Sequence, residues 1–78
     1  MVEDYIITNE KGEILHTDNN FYGLTIDGWG IKVVRYKYYK RAKDRAEKVN
    51  GIVVEREENQ SFPTAIRNKI GFFASNAI

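Results

Sequence analysis

A change of apolar period near residue 38 constrains this chain more than any other feature. From Tyr38 or Tyr39 onward, apolar residues recur at Ala42, Ala46 and Val49, with Lys and Arg between them. That spacing places them on one face of an amphipathic helix of about three turns. Asn50-Gly51 follows directly, and a glycine at that point predicts a left-handed helix stop. On either side the period is different. Ile31 to Tyr36 and Ile52 to Glu57 are rich in β-branched residues and read as strands, the first with at least one well-buried face. If these two strands were parallel neighbours, the crossover between them would be right-handed.

The segments around this unit complete an α+β reading. Tyr5-Ile6-Ile7-Thr8 and Glu13-Ile14-Leu15-His16 flank Asn9-Glu10-Lys11-Gly12, which predicts an antiparallel β-hairpin closed by a tight turn. Thr17 to Asn20 is a loop by composition. Phe21 to Ile26 is compatible with a short third strand broken by Gly23, Asp27-Gly28 is a turn signal, and the region as a whole reads as loop-rich. After the chain's one proline, Pro63, a short helix capped by Ser61 or Thr64 carries Ile66, Ile70 and Phe73 on one face. With 78 residues the chain is one small single domain. It divides into an acidic β-rich part (1–30), a strand–helix–strand unit (31–58), a short C-terminal helix (62–73) and a tail (74–78) expected to fray. A domain this small is marginal as a monomer, and it has no cysteine to staple it.

The net charge of +1 conceals a segregation. Residues 1–30 carry Glu3, Asp4, Glu10, Glu13, Asp18 and Asp27 against Lys11 alone, a balance of −5. Residues 31–50 carry Lys32, Arg35, Lys37, Lys40, Arg41, Lys43, Arg45 and Lys48 against Asp44 and Glu47, a balance of +6. Such a block shapes association with partners. Its alternative role is internal, an acidic hairpin neutralising an adjacent basic strand and helix.

Catalysis has little to work with. Without cysteine, Cys–His nucleophiles and thiolate metal sites are unavailable. His16 is the single histidine and reads as a partly exposed residue at a strand end. Neither Ser61 nor Ser75 stands in a G-x-S-x-G turn, and no phosphate-binding glycine motif occurs. Glu55, Glu57 and Glu58 read as a solvated strand edge rather than an acid–base pair. The Thr17-Asp18-Asn19-Asn20 loop lacks the downstream bidentate glutamate of a calcium loop. No catalytic residue, metal or cofactor is therefore expected.

Binding is better supplied. Arg35-Tyr36-Lys37-Tyr38-Tyr39-Lys40-Arg41 packs three tyrosines among four cations. The candidate contact residues are Lys32, Arg35, Lys37, Tyr39, Lys40, Arg41, Lys43 and Arg45. Cations interleaved with aromatic platforms suit single-stranded nucleic acid, whereas Tyr, Trp and Arg also dominate protein interfaces. At least one tyrosine is expected in the core. A sequence pI near 8.0 lies below that of a dedicated nucleic-acid domain. Trp29, between Gly28 and Gly30, is either a core plug, the favoured reading, or a projecting anchor. Phe72 and Phe73 are adjacent, so on a helix they point about 100° apart and cannot both bury against one sheet. Phe72 and Phe73 are candidate anchors for a second chain, in a homodimer.

The stretch from Tyr5 to Glu58, with Ala42, Ala46, Gly51 and Val54 in an A-x-x-x-A-x-x-x-x-G-x-x-V spacing, resembles small accessory proteins of phages and prophages of Gram-positive bacteria. The resemblance spans roughly two-thirds of the chain and leaves Phe62 to Ile78 unexplained. It implies a host-takeover or anti-defence factor, a non-enzymatic inhibitor or modulator that binds a host or phage protein. DNA or RNA binding through the same surface is the alternative. No apolar run reaches 18 residues and the first residues are acidic, so neither a membrane span nor a signal peptide is expected. The expected location is cytoplasmic, in the bacterial host if the chain is phage-encoded.

Overall fold

Three apolar doublets, Ile6-Ile7, Ile14-Leu15 and Val53-Val54, lie at the centre of the fold. Successive residues of a strand point to opposite faces, so each doublet puts one side chain on each side of a sheet. The computed structural model describes residues 1–74 and shows both faces covered. The strands are β1 (Val2–Thr8), β2 (Ile14–Leu15), β3 (Phe21–Tyr22) and β4 (Ile52–Glu57). They form one antiparallel sheet in the order β3-β2-β1-β4. Helix α1 (Tyr39–Val49) and helix α2 (Phe62–Ile70) complete an α+β single domain.

Ile6, Ile14 and Val54 pack with Ala65 and Ile66 of α2 and with Phe73. Ile7 and Leu15 pack with Val34 and Ala46, with Val49 and Val53 against them. The helices therefore lie on opposite faces. Ala42 and Ala46 are the buried residues of α1, and their small side chains let the helix sit close to the sheet. Complete burial, as at Ile66, is worth about 1.5–3 kcal/mol for a side chain of this size.

The hairpin turn forms as its residues predict. Asn9 Oδ1 accepts from the amides of Lys11 (3.0 Å) and Glu13 (2.9 Å), and Gly12 adopts φ +77. Ser61 caps α2, its Oγ accepting from Thr64 N–H at 3.2 Å.

Five expectations change. Ile31 to Tyr36 is not a ladder strand but an extended segment held by isolated bridges, His16 to Val33 and Tyr5 to Tyr36. It occupies the opening where β2, only two residues long, leaves β1 after the Thr8–Ile14 pair. The crossover to β4 does not join neighbours: the Ile31–Tyr36 segment and β4 each run antiparallel to β1, on opposite sides of it. The third strand stops at Tyr22. Helix α2 ends at Ile70, where Gly71 turns left-handed at φ +93, so the helix does not reach residue 73. Asn50 rather than Gly51 is the left-handed cap of α1, at φ 54. The fraying expected of the tail beyond Ala74 lies outside the described residues.

Gly51 is required for space. A Cβ there would lie 2.5 Å from Ile7 Cγ2 and 3.3 Å from both the Thr8 carbonyl oxygen and Val49 Cγ2. Ile7 is fully buried and cannot yield without disturbing the core. Gly51→Ala is expected to cost about 1–3 kcal/mol by overpacking, read as a lower urea midpoint at unchanged slope.

Candidate binding surface

The predicted contact residues occupy the segment between Ile31 and the first half of α1. Lys32, Arg35 and Lys37 are exposed on the extended segment, and Tyr39, Lys40, Arg41 and Lys43 are exposed on α1. They do not form a single patch. Lys32 and Arg35 line a concavity of about 380 Å³ with Asp27 and Phe62. Tyr39 and Lys43 face another, along β4. Tyr38 is 66% exposed and Tyr39 50%. Tyr39 meets the Tyr5 ring edge-on, with centroids 5.7 Å apart. Tyr36 packs against the core, as expected of at least one tyrosine.

Arg45 does not belong to this free surface. It is half-buried, donating from Nη1 to the Tyr36 hydroxyl (3.1 Å) and from Nη2 to Asn19 Oδ1 (3.0 Å). It ties α1 to the loop before β3. Phe73 is also removed as an anchor, because it is 2% exposed in the core, whereas Phe72 is 41% exposed. The pair divides as expected, one ring in and one out, although both residues follow the helix rather than extending it.

Internal neutralisation is slight. Among the described residues, Arg35 is the only cation of the basic block within 4.0 Å of an acid of the first thirty residues, at 3.9 Å from Asp4. Asp4 is occupied by Arg56, which grips it with Nε to Oδ1 at 2.9 Å and Nη2 to Oδ2 at 2.6 Å. The rest of the block keeps its field available to a partner.

Trp29 overturns the core reading. It is 100% exposed at the apex of a two-residue loop closed by reciprocal bonds between Gly28 and Ile31, of 3.1 and 2.9 Å. Trp29 (φ 57) and Gly30 (φ 77) both have positive φ, as a type I′ turn requires. For a side chain with a Cβ, the left-handed conformation costs about 1–2 kcal/mol. The turn therefore stands two residues after the expected Asp27-Gly28, and this shift puts the indole at the apex, out of the core.

His16 is also misread from sequence. It is fully buried, with Nδ1 2.8 Å from the Ile14 carbonyl oxygen and Nε2 accepting from Ile26 N–H at 3.0 Å. Nδ1 therefore carries the proton, and neither nitrogen is left for chemistry. In the adjacent loop the Tyr22 hydroxyl donates to Asp18, which holds the Asp18 carboxyl below its usual range and the phenol above its own. Among the described residues, no group of three or more His, Cys, Asp or Glu side chains could hold a metal. No described helix is long and apolar enough to cross a membrane.

No family model, curated protein or solved structure matches this chain.

Proposed function

We propose that this chain is a non-enzymatic binding module that engages a partner protein, with Trp29 as anchor and the exposed cations and tyrosines of residues 32–43 as further contacts. The observation that carries this reading is Trp29, fully exposed in a backbone conformation unfavourable to it. Strained, exposed aromatic residues concentrate where a surface meets a ligand, and tryptophan leads the residue types that dominate protein interfaces. The engagement of both His16 ring nitrogens supports a binding rather than a catalytic role. The resemblance carried by Ala42 to Glu55 gives the proposal its specific form, an inhibitor or modulator of a host protein in the bacterial cytoplasm.

A second reading, single-stranded nucleic acid, has one observation in its favour. Tyr38 and Tyr39 are both at least half exposed among Lys37, Lys40 and Arg41, and could offer stacking platforms worth about 1–3 kcal/mol per base. Two measurements separate the readings. Immobilised protein should retain one stoichiometric partner from a Gram-positive host lysate, and Tyr39→Ala with Arg41→Glu should release it. Oligonucleotide affinity that falls steeply between about 50 and 200 mM salt would replace the protein reading with the nucleic-acid one.

A further inference from the structure

β4 is an edge strand, and the register shows which of its backbone groups face outward. Tyr5 exchanges both backbone bonds with Tyr36 (2.8 and 2.9 Å), and Asn9 N–H donates to the Glu13 carbonyl at 3.0 Å. The odd residues of β1 therefore point away from β4, and Asp4, Ile6 and Thr8 point toward it. Their partners are Arg56, Val54 and Ile52. In an antiparallel ladder those three direct N–H and C=O inward, and Val53, Glu55 and Glu57 direct theirs outward. Glu57 is already served, its N–H donating to Gln60 Oε1 (2.9 Å) and its carbonyl accepting from Gln60 N–H (3.0 Å). Val53 and Glu55 present two donors and two acceptors with no protein partner among the described residues.

These groups form the floor of a groove of about 560 Å³ walled by Tyr39, Lys43 and Glu47 of α1 and by Asn68 and Lys69 of α2. Ala46 and Ala65, one on each helix and both almost fully buried, close the groove beside the strand. Lys43 and Lys69 have no acidic partner within 4.0 Å among the described residues; Glu47 and Glu55 line the same groove, which therefore offers charges of both signs. Helices on both sides of the edge admit a single extended chain more readily than a second complete domain.

We propose that this edge accepts an extended peptide segment of a partner protein as a fifth strand, with acidic side chains at Lys43 and Lys69. Main-chain bonds to Val53 and Glu55 supply the pairing, and alternate side chains enter the two walls. The site goes beyond the Trp29 surface, with which it shares Tyr39 and Lys43.

The probe is the hexapeptide acetyl-Glu-Val-Phe-Val-Val-Glu-amide at millimolar concentration, and the readout is amide hydrogen exchange on the whole chain. Without peptide, the Val53 and Glu55 amides should exchange rapidly while Val54 and Arg56 are protected. With peptide, Val53 and Glu55 should slow by at least about tenfold. Glu55→Pro removes one outward N–H without touching the β1 ladder and should abolish the effect. Glu55→Ala, which keeps the N–H, should preserve it. Because Glu55→Pro leaves Trp29 and the cations in place, loss of this site is distinguishable from loss of the other. Three results would overturn the proposal: no slowing in the wild-type chain, equal slowing in Glu55→Pro, or concentration-dependent protection without peptide, which would make a second copy the occupant.

Discussion

Asp4→Ala is expected to cost about 3–5 kcal/mol, the usual penalty for stranding one partner of a buried ion pair. At about 0.05–0.15 kcal/mol per residue, that is a large share of the stability of a 78-residue chain. Asp4 is 8% exposed and stands opposite Arg56 in the β1–β4 register, gripped by two bonds. The guanidinium also donates to the Gln60 carbonyl at 2.9 Å and lies 4.7 Å from the centre of the Phe62 ring. Removing the carboxylate leaves a partly buried cation with one backbone acceptor and a ring face. The pair also joins the first strand to the entry of α2, so its loss should reach both. Replacing both partners with apolar residues, Asp4→Val with Arg56→Met, should recover most of the loss, since a packed apolar pair avoids desolvating two charges. Urea unfolding of the wild-type chain, the single variant and the double variant checks both expectations. A single variant within about 0.5 kcal/mol of wild type, the range of an ordinary surface substitution, would contradict them.

Trp29→Asn is expected to separate binding from stability. It places Asn-Gly in a two-residue loop that already has positive φ at both positions, the pair that type I′ turns favour most. Relief of the left-handed tryptophan should raise stability by about 0.5–1 kcal/mol. The same change removes the anchor, so affinity for the partner should fall by at least about thirtyfold, the loss of a residue worth about 2 kcal/mol or more. A substitution that stabilises the fold while removing binding marks a residue retained for its contact.

Much of the fold is legible in the residues, and the losses have local causes. The helix around Ala42 and Ala46 and the turn at Asn9 to Gly12 follow from period and turn chemistry, which need only neighbours along the chain. Burial of both sheet faces was also written there, in Ile6-Ile7, Ile14-Leu15 and Val53-Val54, since an exposed face would have required alternation. Ile31 to Tyr36 has strand composition without a ladder, because strand pairing depends on which edge is open and not on composition. The place of β4 beside β1 is non-local for the same reason, so the outward groups of Val53 and Glu55 had no sequence signal. His16 seemed exposed because nothing near it in sequence announces the Ile26 amide that completes its bonding. Arg45 looked like one more surface cation until Tyr36 and Asn19, distant along the chain, were brought to it. For Trp29 the signal was present in the flanking glycines, but burial of a lone tryptophan is the commoner outcome, and here a two-residue shift of the turn decided the other.

The central claim, that an exposed anchor together with the exposed cations binds a protein, is tested most directly by titrating the partner captured from host lysate against the wild-type chain and Trp29→Asn in parallel. The expected result is saturable binding to the wild-type chain and affinity reduced by at least about thirtyfold for the variant, whose urea midpoint is equal or higher. Equal affinity for the two proteins, or failure of the wild-type chain to retain any partner, would contradict it.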